Sequence, residues 1–324
     1  MTDVIGERRD SLFSNPPVTI SGSSVCTKLI LVIFACTMEN HPQVKLIECP
    51  RDAMQGWLHF ISTAKKIEYI NSLLKVGFES IDFGSFVSAK AIPQMADTKE
   101  VIARLDTDNS KSRLLAIVAN LRGAEEAVLY DQITYLGFPF SISETFQQRN
   151  TNSSVEESMQ RVEDIQELCV KNNKQLVIYI SMGFGNPYGD PYSADIVFNW
   201  VNKIVELGVR IISLADTVGL ANPEQVFSVT SQLIKQLPDH EIGVHLHAAP
   251  DNWKEKLEAA VKAGCKRFDG ALKGIGGCPM AGDVLVGNMD TERMVPYFEE
   301  HGISTGIDIN ALLQSSRLAA QIFI

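Results

Sequence analysis

The sequence predicts a single α/β domain, a (β/α)8 or TIM barrel, that follows a short N-terminal extension. Short apolar runs rich in β-branched residues alternate with amphipathic helical segments, and this alternation predicts a parallel sheet flanked by helices. Eight strand–helix units follow one another at fairly even spacing, which favours a closed barrel over an open doubly wound sheet. No G-x-G-x-x-G follows the first strand, which disfavours the dinucleotide-binding form of the open sheet.

The predicted strands are short apolar runs bounded by polar and turn residues. In chain order they are 44–49, 79–84, 113–119, a run within 132–140, 175–181, 209–215, 241–247 and 266–272. Apolar residues at helical spacing predict helices between them: 63–77, a polar segment after the second strand, about 124–130, 154–172, 193–208, 222–237, 252–264 and about 290–300. Gly77 is a stop signal for the first helix, and Ser153 or Ser154 can cap the helix at 154–172.

The composition is that of a globular protein, with 45% hydrophobic and 21% charged residues. The net charge of −10 and the absence of a dense Lys/Arg block argue against nucleic acid as a partner. The six cysteines are scattered and include no C-x-x-C pair, so a disulfide framework is not expected. This pattern favours a reducing, cytoplasmic setting.

The run "KLILVIFAC" at 28–36 is the one segment that resembles a targeting sequence. It is too short to span a bilayer, and no membrane association is expected. A lysine before an apolar stretch that ends in Ala-Cys could be an export or lipoprotein signal, and a buried strand is another interpretation. The α/β pattern begins only after Met38. We therefore expect 1–37 to be an extension and 38–324 to be the barrel domain.

Polar residues that can carry chemistry follow several predicted strands. A barrel places its active site at the carboxyl-terminal ends of its strands. The candidates there are Glu48, Arg51, Asp52, Asp82, Asp216, His245, His247, Cys278 and Asn288. Side chains alternate along a strand, so the two histidines should point the same way and could occupy adjacent positions around one metal ion.

Each of these residues also has an ordinary structural interpretation. The H-x-H pair could be two polar strand residues, and Asp52 or Asp216 could cap a turn or a helix. Cys278 alone could be an inert buried thiol. The convergence of oxygen and nitrogen ligands, one arginine and one thiol on a single rim favours a functional site.

At these residues the chain resembles a known family. "IECPRDAMQ" resembles the opening signature of the DRE-TIM metallolyases. "IDFGSFVSAKAIPQMADTKEV", "ISLADTVG", "VHLH" and "GIGGCPMAGDVLVGN" are similar, in the same order, to segments of the 3-hydroxy-3-methylglutaryl-CoA lyase branch. The GGCP loop is characteristic of that branch, whereas the Arg-Asp and H-x-H motifs are shared with isopropylmalate and homocitrate synthases.

The resemblance implies a divalent cation, Mg²⁺ or Mn²⁺, bound by the residues that match the family's ligands: Asp52, His245, His247 and Asn288. It implies that Arg51 stabilises the substrate carbonyl or enolate and that Asp82 organises Arg51. Asp216 would lie near the substrate hydroxyl, and Cys278 would serve in proton transfer.

The implied function is cleavage of 3-hydroxy-3-methylglutaryl-CoA, or a close 3-hydroxyacyl-CoA, to acetyl-CoA and acetoacetate. A homodimer is the implied assembly. A Claisen-condensing synthase and a catalytically silent barrel remain as alternatives. The chain departs from the family at Ala248, where an aspartate is usual, and at Cys49 and Ala53, where glycines are usual. Trp57 stands where the family usually has a polar residue. None of these departures falls on a predicted metal ligand, so the resemblance implies the metal site more strongly than the substrate.

Overall fold

A computed structural model describes residues 43–277 and 286–324 of the chain. Within these ranges eight parallel strands pair in chain order, and the last pairs with the first, so that the sheet closes. The strands are β1 Lys45–Glu48, β2 Ser80–Ser85, β3 Arg113–Ile117, β4 Ile133–Ser141, β5 Gln175–Ser181, β6 Ile211–Ala215, β7 Glu241–His245 and β8 Arg267–Gly270. The predicted (β/α)8 barrel is confirmed.

Helices connect the strands. They are α1 Pro50–Gln55, α2 Thr63–Leu73, α3 Thr98–Ile102, α4 Leu121–Ala127, α5 Glu144–Thr151, α6 Val155–Lys171, α7 Ala194–Glu206, α8 Pro223–Gln236, α9 Trp253–Lys262, α10 Thr291–Glu300 and α11 Ile309–Ile322. Of the two cap candidates for α6, Ser154 is the one used, because its hydroxyl accepts from the Glu157 N–H while Glu157 accepts from the Ser154 N–H. Helices α1, α5 and α11 are absent from the predicted set.

The strand β7 ends two residues earlier than predicted. Its last backbone pair with β6 joins Ala215 to His245. His247 instead forms an isolated antiparallel bridge with Asn288. The expectation that His247 belongs to the strand is therefore wrong. Even so, both histidines line the same cavity, so their side chains point the same way, as predicted.

The strands are buried on both faces, as expected for a parallel sheet covered by helices. Every residue of β2 and of β6 is buried. A separate apolar cluster is formed by alternate residues of neighbouring strands, among them Leu115, Tyr135, Val177 and Ile211, and these fill the inside of the barrel. Because this interior is packed with side chains, a substrate site belongs at the carboxyl-terminal ends of the strands.

Two expectations concern residues that the structure does not describe. The extension predicted at 1–37 and the thiol of Cys278 both lie outside the described ranges. Among the residues that are described, no helix combines the length and the hydrophobicity needed to cross a bilayer.

Candidate metal centre

Arg51 and Asp52 lie in a short helix at the end of β1. The strand ends at Glu48, and Pro50 then occupies the first position of α1, where its fixed φ favours a helical start. Both side chains are buried. The turn from strand to helix therefore places an arginine and a carboxylate together over the barrel.

Arg51 joins two carboxylates. Its Nε donates to Asp82 Oδ2 over 3.0 Å, and its Nη1 donates to Asp52 Oδ1 over 3.0 Å. Burial raises the pKa of Asp82 to about 6, an effect that Arg51 only partly offsets. Burial would also raise the pKa of Asp52, but Arg51 and the two nearby histidines outweigh it and lower that pKa to about 2. Asp52 is therefore ionised at neutral pH, as a metal ligand must be.

His245 and His247 face each other across the site. Their Nε2 atoms are 3.3 Å apart. One carboxylate oxygen of Asp52 and one nitrogen of each histidine all lie within 4.8 Å of one another. Burial, with a further contribution from His245, lowers the pKa of His247 to about 4, so this imidazole is neutral at pH 7. The two nitrogens and the carboxylate can thus share one cation.

Asp269 orients the first of these rings. It lies in β8, is 2% exposed, and one of its carboxylate oxygens is 3.2 Å from His245 Nδ1. A carboxylate at Nδ1 favours the tautomer whose Nε2 carries the free lone pair. The sequence does contain a signal for this residue, an acid inside the apolar eighth strand, but Asp269 is missing from the predicted site.

Cys49 belongs to a second grouping of possible ligands, with His245 and Asp269. Burial raises the pKa of its thiol, and Asp269 raises it further. Only the thiolate is a good metal ligand. The grouping with Asp52 and His247 is therefore the better cation site.

Asn288 lies beside the three grouped side chains and contacts Asp52. Its Nδ2 donates to Asp52 Oδ2 over 2.7 Å and to the carbonyl of Ile275 over 2.9 Å. Its Oδ1 is buried and has no hydrogen-bond partner among the described residues, and a buried polar atom without a partner calls for an explanation. A hard divalent cation prefers oxygen ligands of this kind. These residues therefore fit a Mg²⁺ or Mn²⁺ site.

Gly276 approaches Asn288 and Asp52 from the loop after β8. Its φ is +124°, and a Cβ built on it would lie 2.1 Å from Asn288 Nδ2 and 3.0 Å from Asp52 Oδ2. Only glycine combines this backbone conformation with so close an approach. The loop can pass directly over Asn288 and Asp52 for that reason.

Asp216 and Glu48 lie apart from the cluster. Asp216 is 2% exposed, and its Oδ2 accepts from the Nζ of Lys256 over 2.8 Å. Glu48 accepts from the backbone of Leu272 and from the hydroxyl of Thr291, and burial raises its pKa to about 8. Lys256 is not a predicted site residue, because a single lysine in an amphipathic helix looks solvent-exposed in sequence.

A cavity of about 440 Å³ opens above the predicted ligands. Arg51, Asp52 and the two histidines form part of its lining, together with Thr217. The remaining wall is largely apolar and includes Trp57, Leu58, Val87, Ile92 and Phe146. Such a combination of convergent polar groups with apolar walls suits a small-molecule substrate.

The chain is also similar in sequence to proteins of known family. A profile of the HMGL-like family matches residues 43–319. The chain is 31% identical to the cytoplasmic 3-hydroxy-3-methylglutaryl-CoA lyase of Rattus norvegicus, over 91% of this chain and 86% of that protein. It is 33% identical to a hydroxymethylglutaryl-CoA lyase of Bacillus subtilis, over 83% of this chain and 89% of that protein.

Solved structures of HMG-CoA lyases have a similar fold. An HMG-CoA lyase from Acinetobacter baumannii, in complex with coenzyme A and 3-methylmalate, superposes with a TM-score of 0.81 at 34% identity. The match covers 86% of this chain and 91% of that one. The HMG-CoA lyase of Bacillus subtilis also has a TM-score of 0.81, at 32% identity and with 87% and 94% coverage.

Proposed function

Because the chain belongs to the HMGL-like family, we propose that it is a divalent-metal-dependent carbon–carbon lyase. It cleaves 3-hydroxy-3-methylglutaryl-CoA, or a close 3-hydroxyacyl-CoA, into acetyl-CoA and acetoacetate. The observation that carries the proposal is the convergence of Asp52, His245 and His247 within 4.8 Å, beside Arg51 in one cavity. The relatives named above are hydroxymethylglutaryl-CoA lyases, and the chain matches them over most of their length. This similarity supports a lyase rather than a condensing synthase.

The reaction is a retro-aldol cleavage. The tertiary hydroxyl loses its proton, the carbon–carbon bond beside it breaks, and the hydroxyl carbon becomes the ketone of acetoacetate. The bonding electrons leave with the thioester half as an enolate, which takes one proton to give acetyl-CoA. When bound, Mg²⁺ or Mn²⁺ supplies Lewis acidity. Asp52, His245, His247 and Asn288 would hold that cation.

Arg51 is proposed to stabilise the negative charge that develops on the thioester oxygen. Three of its five N–H groups are used by Asp52 and Asp82, which leaves two for a ligand in the cavity it lines. Asp82 fixes the guanidinium from behind, so little reorganisation is needed when the charge appears. Fixed donors aimed at a developing oxyanion are the main source of this type of stabilisation.

Cys278 and Asp216 complete the proposal. Cys278 would act as the general acid that gives the enolate its proton. Asp216 is proposed to support the substrate hydroxyl. Its carboxylate is bound to Lys256, whereas its neighbours Ala215 and Thr217 line the cavity, so this support acts through the loop after β6.

We further propose an acyl-CoA as the binding partner and a homodimer in the cytoplasm as the working form. The Acinetobacter relative in complex with coenzyme A supports the first point. The rat relative, which is a cytoplasmic lyase, supports the compartment. The apolar walls of the cavity leave room for a range of short branched acyl groups.

The direct test is the release of acetoacetate from 3-hydroxy-3-methylglutaryl-CoA with and without EDTA. We expect cleavage with added Mg²⁺ or Mn²⁺ and its loss on chelation. The lyase assignment would be wrong if the folded, metal-supplemented protein releases no acetoacetate from this or any short branched 3-hydroxyacyl-CoA. A screen across such thioesters would also identify the preferred acyl group.

A further inference from the structure

Lys256 is a buried lysine that binds two segments of the catalytic rim. It lies in α9 and is 1% exposed. Its Nζ donates to Asp216 Oδ2 over 2.8 Å, to the carbonyl of His247 over 2.8 Å and to the carbonyl of Gly219 over 3.0 Å. Two of these acceptors belong to the loop after β6, and the third belongs to a predicted metal ligand.

The ammonium group is fully satisfied by these contacts. A lysine has three N–H donors and no acceptor, and three acceptors lie around it. Burying such a charge is costly unless it is paired and hydrogen-bonded. Asp216 supplies the counter-charge, while the two carbonyls supply the remaining partners. Lys256 is therefore built to hold its neighbours in place, and it has no donor left for a substrate.

The backbone at His247 needs this support because β7 has already ended. The ladder between β6 and β7 stops at the pair of Ala215 and His245. On one side, the next residues are held by Met289 N–H bound to the Leu246 carbonyl and by Ala248 N–H bound to the Gly287 carbonyl. On the other side, Lys256 binds the His247 carbonyl in place of the missing strand contact.

We propose that Lys256 is a positioning residue of the metal centre. It fixes the backbone of His247, and thereby its imidazole, and it ties the loop 216–221 to the same point. The inference rests on the proposed function only in taking His247 as a metal ligand. It requires no particular substrate.

The test compares Mn²⁺ affinity, measured by the EPR signal of free Mn²⁺, in the wild-type protein and in Lys256→Met. Methionine fills a similar volume and donates no hydrogen bond. We expect Mn²⁺ affinity to fall by about 10- to 100-fold, the usual effect of removing a group that orients a metal ligand.

The matched control is Lys66→Met. Lys66 is also 1% exposed, pairs with Asp97 and donates to a backbone carbonyl, that of Gln94. It contacts no predicted metal ligand in the described structure. This variant should lose stability in the same way but keep wild-type Mn²⁺ affinity. An equal loss of affinity in both variants would show a general effect of burying an unpaired carboxylate, and would overturn the inference.

A double variant decides the matter if Lys256→Met does not fold. Asp216→Asn combined with Lys256→Met removes both charges, while the amide oxygen of the new asparagine can still accept from the Ala221 N–H as Asp216 does. The double variant should fold and bind Mn²⁺ weakly. The single variant Asp216→Asn keeps Lys256, so it should bind Mn²⁺ more tightly than the double variant. Wild-type affinity in the double variant, or no Mn²⁺ binding by the wild-type protein, overturns the inference. Tight Mn²⁺ binding by a wild-type protein that cleaves no acyl-CoA would instead count against the lyase alone.

Discussion

Asn288 donates a hydrogen bond of 2.7 Å to Asp52, a residue 236 positions earlier in the chain. The contact joins the helix that follows the first strand to the segment that follows the eighth. The candidate metal centre thus spans the seam where the barrel closes, so its residues come together only when β1 and β8 are paired.

Asn288→Ala should weaken Mn²⁺ binding by about 10- to 100-fold. The change removes an oxygen ligand, and it also removes the donor that orients Asp52. Equilibrium dialysis against Mn²⁺ measures the effect. Asn109→Ala, in an exposed loop, is the control and should bind normally. Unchanged affinity in the Asn288 variant would exclude this residue from the metal site.

His245→Ala should abolish tight Mn²⁺ binding, because it removes one of two nitrogen ligands and leaves Asp269 without its partner. His240→Ala provides a control in the residue just before the same strand, at the opposite end of the barrel. It should bind Mn²⁺ with the wild-type stoichiometry. A His245 variant that retains one tightly bound Mn²⁺ would contradict the ligand assignment.

Arg51→Lys should lower kcat by about 10²- to 10³-fold. Lysine keeps the charge but cannot reproduce the planar fork in which Arg51 Nε donates to Asp82 Oδ1 and Nη2 donates to Asp82 Oδ2. Steady-state release of acetoacetate measures the loss. Arg113→Lys makes the same replacement at the start of β3, away from the cavity, and should leave kcat unchanged. A wild-type kcat in the Arg51 variant would remove the guanidinium from the mechanism.

Cys278→Ala should reduce turnover by about 10²-fold or more if its thiol supplies the proton. Mn²⁺ affinity should stay at the wild-type value, because the thiol is not among the proposed ligands. Cys169→Ala, in helix α6 and outside the cavity lining, controls for loss of any thiol. If turnover survives in the Cys278 variant, another acid must protonate the enolate.

Glu48→Gln should flatten the dependence of stability on pH. Burial raises the pKa of Glu48 from 4.5 to about 8, so the native protein holds this proton more tightly than the unfolded chain does. The contribution of Glu48 to the free energy of unfolding is therefore greatest below pH 4.5, and it is lost as the pH rises towards 8. Glutamine can accept from Leu272 N–H and bind the Thr291 hydroxyl without ionising.

Urea unfolding midpoints measured from pH 5 to pH 9 should therefore fall for the wild-type protein and fall less for the variant. The exposed Glu255→Gln is the control and should follow the wild-type curve. Parallel curves for all three proteins would show that Glu48 does not retain its proton when folded.

Much of the barrel was predictable because its signals are local. Apolar β-branched runs mark the strands, and Ser154 with Glu157 marks the start of α6. Helix α11 escaped prediction because it follows the eighth strand–helix unit, where the repeat gives no reason to expect another helix. The Asp308 cap, which accepts from the next turn, was the available signal.

The site was predictable where motifs carry it and not where packing creates it. The histidines, Asp52 and Asn288 stand in recognisable segments, and the structure brings them together. Lys256 has no such signal, because its partners Asp216 and Gly219 lie 40 and 37 residues earlier in the chain. Asp216 likewise looked free to meet a substrate until the structure showed the lysine bound to it.

The close approach of Gly276 to Asn288 and Asp52 has a consequence for natural variation. Every missense change in its codon introduces a Cβ, and that atom would need the space of a metal ligand. The same Cβ would lie 3.3 Å from the backbone carbonyl of Asp52, so helix α1 would have to adjust as well. A variant at this position should therefore bind Mn²⁺ weakly and release little acetoacetate, although Gly276 itself lies outside every strand and helix of the described barrel.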